Sequence, residues 1–256
     1  MGETTHSAKI SIWNSFWAAV QFLTIVPPVV RQTFTPQEMG TSLVFYPVVG
    51  VGIGFVLALF SWGLQKIFPL PLAAAFILGL WICISGAFHL DGFLDACDGL
   101  FGSSAPEKRL EIMRDKHHGT FALTGGMILL LIKWSALIAC KLNPLALILS
   151  PMLARWGMTL AIMAFPYGRT RGVGSVIKEN ANRKSLILSG LIVLGIIALS
   201  VSLSGWIALG VAVIAIWGIA RFALSLIPGL TGDIYGAINE LTELAVLLTF
   251  VICNAF

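Results

Sequence analysis

The chain has 256 residues, of which 57% are hydrophobic and 11% charged, and its mean hydropathy is +0.92. Soluble domains carry about 25% charged residues, so a soluble globular fold is excluded. The net charge of +4 comes with no basic run interleaved with aromatics, which argues against a nucleic-acid partner.

The apolar runs are continuous and near the length of a bilayer-crossing helix, not the alternating ten-residue segments of a barrel. The sequence therefore predicts an all-α, polytopic membrane helix bundle, with about seven transmembrane helices and an N-terminal interfacial helix. It reads as a single integral membrane domain over 1–256. Cys83, Cys97, Cys140 and Cys253 are scattered without a CxxC pair, so disulfides and zinc are not expected. Met1 to Lys9 is polar and no small-residue cleavage site follows, which argues against a signal peptide.

In chain order, 1–40 is an N-terminal interfacial segment. Its amphipathic stretch Ile10–Val26 carries Trp13, Phe16, Trp17 and Phe22. Spans are expected at Leu43–Leu64, Leu72–Leu90, Thr120–Leu142, Leu145–Phe165, Leu186–Val201, Trp206–Ile227 and Glu240–Cys253. Lys9, Arg31 and the basic residues of 108–116 and 169–184 fall on one side, with only Lys66 and Lys141 on the other. The positive-inside rule makes the first side cytoplasmic. The expected location is a bacterial or archaeal cytoplasmic (inner) membrane. Three loops, 91–119, 167–184 and 228–240, then face the cytoplasm and carry the active site.

Asp91, Asp95 and Asp98 follow the second span at spacing i, i+4, i+7. On a helix they share one face. An aspartate at the centre of a bilayer costs about 2.5–3.5 kcal/mol, so the cluster must face water, a cavity or a cation. Mg²⁺ is the natural partner for grouped carboxylates, and an acidic metal site at a membrane's edge points to chemistry on phosphates. Farther along the loop, Ser103 to Glu107 signals a short helix with Leu110 and Met113 as its apolar stripe. Arg109 and Arg114 could clamp phosphate oxygens, Asp115 could ligate a metal or take a proton, and His117 or His118 could accept one.

Arg155, in mid-span, must face the bundle interior and pair there, with a pyrophosphate or an aspartate as suitable partners. Lys133 and Arg221 are weaker cases of the same kind. Arg169 and Arg171 bracket a Gly-containing loop suited to holding phosphate. Asp233 lies between Gly232 and Gly236, and Glu240 and Glu243 follow at the head of the last span, where acids are expensive.

Together these segments resemble the cobalamin synthase (adenosylcobinamide-GDP ribazoletransferase) family. The resemblance rests on His-Leu-Asp-Gly-Phe-Leu-Asp-Ala-Cys-Asp-Gly at 89–99, Arg-Leu-Glu-Ile-Met-Arg-Asp at 109–115, Gly119, Arg155, the loop from Arg169, and Thr-Gly-Asp-Ile-Tyr-Gly-Ala at 231–237 with Glu240. Phe-Leu-Thr-Ile-Val-Pro at 22–27 and Tyr-Pro-Val-Val-Gly at 46–50 also fit. The chain departs from the pattern at Lys116-His117-His118, where a Ser and one basic residue are expected, which weakens any role for these three.

The resemblance implies a Mg²⁺-dependent phosphotransfer at a pyrophosphate. Adenosylcobinamide-GDP and α-ribazole (or its 5′-phosphate) would give adenosylcobalamin (or its phosphate) and GMP. Asp91, Asp95 and Asp98 would hold the metal, Asp98 or Asp115 would take the acceptor's proton, and Arg155 and Arg169 would clamp phosphates. Asp233 and Glu240 would bind a second cation or the nucleoside. The partners are then the corrinoid and nucleoside substrates and the lipid bilayer. A homo-oligomer and a complex with other cobalamin-assembly enzymes are both compatible with this reading. Two readings compete: a CDP-alcohol phosphotransferase, whose Asp-Gly-x-x-Ala-Arg motif is not met at Asp95-Ala96, and an ion-coupled transporter, whose carboxylates would lie near the bilayer midplane.

Overall fold

The computed structural model describes residues 10–31 and 33–253, and Lys9 of the topology argument lies outside them. Twelve helices are found among the described residues. Residues Ile12–Leu23 form α1 and Pro36–Ser42 form α2. Nothing in the hydropathy pattern foreshadows α2. Its start is a reciprocal cap, in which Thr35 accepts from the Glu38 backbone N–H and Glu38 accepts from the Thr35 N–H. Glu38 also accepts from Asn14 Nδ2 at 2.9 Å, which ties α1 to α2.

The long helices follow: α3 Tyr46–Leu64, α7 Thr120–Ala139, α8 Pro144–Ala164, α11 Leu203–Leu224 and α12 Gly232–Cys253. These five are long and apolar enough to cross a membrane. The count becomes seven if each of two bent pairs is taken as one span. The chain is thus an all-α membrane protein, as its composition requires. Within each helix's most apolar stretch, 78% of α8 and 61% of α12 is buried, against 28–39% of α3, α7 and α11. Accordingly α8 and α12 form the centre, and the other three present apolar side chains such as Phe55, Leu131 and Ile214 outward, as lipid demands.

The first bent pair corrects the expected Leu72–Leu90 span. α4 covers Leu70–Ile84 and α5 covers Phe88–Phe101, and the two meet at 89°. Gly86 (φ 61°) and Ala87 (φ 56°) take left-handed backbone between them and end α4 abruptly. The aspartate segment is therefore a separate helix, set nearly perpendicular to α4. The second pair joins α9 (Val173–Asn180) to α10 (Arg183–Leu199) at 93°, where Asn182 caps α10 through the Ser185 N–H. The short surface helix expected after Ser103 is present as α6, Pro106–Ile112.

The last helix begins at Gly232, not at Glu240. Most of the expected 228–240 loop is thus the first two turns of α12, and Asp233 and Glu240 stand on one rod. Before it, Tyr167 and Leu230 form a parallel bridge. The Gly168 N–H donates to the Leu230 carbonyl at 2.7 Å. This bridge sets the segment after α8 beside the start of α12.

Candidate active site

One end of the bundle gathers the N-termini of α5, α7 and α12 and the C-terminus of α8. Along α5 the acidic face descends into the protein. Asp91 has a side chain 65% exposed and Asp95 one 18% exposed, while Asp98 is only 8% exposed as a residue. The three share a helical face, as their spacing requires, but they do not share an environment.

Asp98 is taken up by α7. The Gly119 N–H donates to its Oδ2, and the Ala122 N–H donates to its Oδ1 at 2.9 Å. These are donors that the first turn of a helix otherwise leaves unsatisfied, and the carboxylate also meets the positive end of the α7 dipole. The structure thus separates Asp98 from the other two aspartates. It does not offer a free carboxylate there.

Asp91 and Asp95 accept no hydrogen bond among the described residues, so their oxygens are free to ligate. His118 stands between them, with Nε2 3.7 Å from Asp91 Oδ1 and Nδ1 3.6 Å from Asp95 Oδ1. Together with Arg114, Asp115 and Lys116 they line an open cavity of about 350 Å³. Asp115 sits on its lip, accepting from His117 through both the ring Nδ1 at 2.9 Å and the backbone N–H at 3.0 Å. The side-chain and backbone hydrogen bonds of His117 hold the Asp115 carboxyl below its ordinary pKa. Depressed and fully exposed, Asp115 is a poor proton acceptor. His118 was discounted from sequence because it departs from the family pattern. Its signal was present, since it is a histidine in the loop that returns over an acidic face.

A second cavity, also about 350 Å³, lies on the other side of Asp91, which borders both. Arg169, Arg171 and Asp233 line this second cavity. Arg169 Nη2 donates to Asp233 Oδ2 at 2.6 Å, and Thr231 Oγ1 donates to the same oxygen at 3.1 Å. Gly172, at φ 125°, turns the Arg171 loop over the cavity through backbone that only glycine adopts readily. Tyr167 stacks on Tyr235 at 6.0 Å, and burial raises the Tyr167 phenol above its ordinary pKa. Both tyrosines belong to this wall.

α5 and α12 meet closely here. A Cβ on Gly92 would lie 3.1 Å from the Asp233 Cα, and one on Gly236 would lie 2.8 Å from the His89 carbonyl oxygen. Small residues at the crossing let the backbones touch. That contact brings Asp91 and Asp95 to the same end as Asp233.

Three sequence-derived candidates lie away from this group. Arg155 was matched to a pyrophosphate or an aspartate, but it is fully buried. It donates to Glu243 Oε1, and to Ser85 Oγ at 2.9 Å. Glu240 was matched to a cation, but it accepts from Lys133 Nζ at 2.6 Å, and the same ammonium reaches Glu243 at 2.5 Å. Two acids and two bases thus neutralise each other inside the bundle, with Trp81 Nε1 and Asn239 Nδ2 also donating to Glu243. In hydrocarbon an ionic group must find such partners or not be there. Arg109, a candidate phosphate clamp, spends its donors on the Ser103 carbonyl at 2.7 Å and the Leu226 carbonyl at 3.2 Å. It pins α6 to the end of the bundle. Arg114 and Arg171 remain exposed at the two cavities.

The model of the cobalamin-5-phosphate synthase family matches residues 15–251. The chain belongs to this family. Among its relatives, an adenosylcobinamide-GDP ribazoletransferase of Pseudomonas entomophila is 39% identical over 238 residues, covering 91% of this chain and 96% of the relative. Proteins of the same name from Pseudomonas paraeruginosa and Desulfitobacterium hafniense are 40% and 34% identical, each covering 92% of this chain, with 96% and 95% of the relatives covered. No solved structure matches the chain. The family match spans both halves of the site, from the Asp91 helix to Asp233.

The ligating capacity of the site is concentrated at Asp91 and Asp95. No three His, Cys, Asp or Glu side chains among the described residues are assembled as a complete metal-ligand set. Two free carboxylates one helical turn apart nevertheless suit a hard cation that takes one or two protein oxygens and completes its shell with water and substrate phosphate.

Proposed function

We infer that the protein is a membrane-bound adenosylcobinamide-GDP ribazoletransferase, joining adenosylcobinamide-GDP to α-ribazole or its 5′-phosphate and releasing GMP. The observation that carries the site assignment is the pair of unbonded carboxylates, Asp91 and Asp95, at a cavity flanked by arginines. The bundle end holding them faces the cytoplasm, because the basic loops gather at that end. The membrane is the bacterial or archaeal inner membrane.

In the reaction a ribose hydroxyl oxygen of the nucleoside forms a bond to the phosphorus nearer the corrinoid. The bond from that phosphorus to the bridging oxygen breaks, GMP leaves with the electron pair, and the hydroxyl proton is lost to solvent. Such transfers pass through a loose transition state, so catalysis is mostly positioning and charge stabilisation. Asp91 and Asp95 would hold Mg²⁺, which would supply a positive charge to the diphosphate and the departing GMP. Arg169, oriented by Asp233, and the exposed Arg114 and Arg171 bind the phosphate oxygens. Asp98 holds α7 in place, and with it the 115–119 loop that carries His118.

The experiment is GMP release by purified protein in nanodiscs, with adenosylcobinamide-GDP and α-ribazole, against CDP-diacylglycerol as the rival donor. Metal-dependent GMP with the first pair is the expected outcome. Turnover of the CDP-lipid alone would overturn the assignment.

A further inference from the structure

The second cavity, the one that Asp91 shares with the acidic face, has a character unlike that of a phosphate site. Much of its wall is apolar and aromatic, with Phe22, Phe88, and Met158 and Ile162 of α8. Two of its lining residues, His89 and Tyr235, are more than nine-tenths buried, and each keeps a polar atom without a hydrogen-bond partner. These are His89 Nε2 and the Tyr235 hydroxyl. Both atoms lie behind the cavity surface, within the protein. The charged groups of the same cavity are Asp91, Arg169, Arg171 and Asp233.

We propose that this cavity is the binding site for the benzimidazole nucleoside acceptor. The inference rests on the transferase reading above and assigns one of its two substrates to a place. Size comes first. About 350 Å³ is at the small end of ligand pockets, which run from about 300 to 1,000 Å³. That is room for a nucleoside.

Polarity then separates the two nucleosides in the reaction. A guanine base brings donors and acceptors around most of its edge, and the apolar part of the wall, Phe22, Phe88, Met158 and Ile162, offers no partner for them. Unmet, they carry their desolvation cost into the complex. A benzimidazole has apolar edges and a single unsubstituted ring nitrogen, which needs one donor. The hydroxyl of Tyr167, a half-buried lining residue, is able to supply it. The stacked Tyr167 and Tyr235 rings add flat aromatic surface beside a flat ligand.

Position agrees with this assignment. Asp91 is common to both cavities, so a base seated between α8 and α5 leaves its ribose directed toward the carboxylates that would hold the metal.

The test is binding of α-ribazole alone to the full chain in nanodiscs, by calorimetry, with guanosine as competitor. Ile162→Phe fills the apolar wall, and Val173→Trp adds bulk at the half-exposed rim, where folding is least at risk. Monodispersity and adenosylcobinamide-GDP binding are followed in parallel. The proposal expects both variants to weaken α-ribazole at least tenfold and to leave the corrinoid substrate within twofold. Guanosine should not compete. Wild-type affinity for α-ribazole in folded Val173→Trp, or competition by guanosine at equal concentration, overturns it. Neither result touches the transferase assignment, which fails separately if the wild type releases no GMP.

Discussion

Gly92 and Gly236 sit face to face where α5 crosses α12, and a Cβ on Gly236 would lie 3.1 Å from the Gly92 Cα. The backbone contact fixes the distance between the Asp91–Asp95 face and the Arg169–Asp233 pair. Gly236→Ala must push the helices apart, because its Cβ meets the His89 carbonyl at 2.8 Å and backbone cannot step aside. A displacement of about 1 Å near reacting groups commonly costs about 10²-fold in rate. We expect Gly236→Ala to lose GMP release by that order while remaining membrane-inserted and monodisperse. Activity within threefold of wild type would show that the crossing is not critical.

Asp98 and Asp95 are expected to fail differently. Asp98→Ala removes the acceptor for the Gly119 and Ala122 amides, and losing such a cap costs about 0.5–2 kcal/mol. Hydrogen exchange at 119–122 should rise and the melting temperature should fall, with the Mg²⁺ concentration for half-maximal rate unchanged. A large shift in that metal requirement would return Asp98 to the ligand set.

Inside the bundle, Glu243→Gln leaves Arg155 and Lys133 sharing one carboxylate. Removing one partner from a buried ionic group costs about 3–5 kcal/mol. Thermal unfolding in nanodiscs should show a clear drop, and the double variant Glu243→Gln/Lys133→Met should recover part of it by removing the surplus charge. If Glu243→Gln unfolds with wild type, the network contributes little to stability.

Arg109 and Arg169 offer a paired comparison. Arg109→Ala breaks two bonds to backbone carbonyls and should loosen α6, raising proteolysis near 103–113 with modest change in rate. Arg169→Ala should retain the fold and lose about 10²–10³ in rate, the usual loss for one electrostatic contact to a transition state. Equal kinetic losses in the two variants would contradict the division of roles.

The fold class was legible because hydropathy reports burial in lipid directly, and the helical face of Asp91, Asp95 and Asp98 was legible because period is a local property. The bend before α5 was not. Gly86 and Ala87 interrupt no apolar run, and a left-handed backbone leaves no trace in hydropathy. The start of α12 was placed eight residues late because Asp233, Asn239 and Glu240 lower the apolar signal in a helix that is buried by protein. Arg155 was correctly read as needing a partner, but Glu243 lies 88 residues away, and nothing local selects it over an aspartate or a ligand. Glu240 was misread for the complementary reason: its counter-charge, Lys133, sits 107 residues earlier. Gly236 and His89 carried their signals in plain view, a glycine and a histidine one turn from acidic residues, but a contact between two helices shows only in three dimensions.

The central claim is that Asp91 and Asp95 together hold the divalent cation. Mn²⁺ binding by electron paramagnetic resonance tests it most directly, on wild type and Asp95→Asn in nanodiscs with adenosylcobinamide-GDP present. The account expects one or more tightly bound Mn²⁺ in the wild type, displaced by excess Mg²⁺, and at least a tenfold weaker association in folded Asp95→Asn. Equal Mn²⁺ affinity in the two proteins would contradict it.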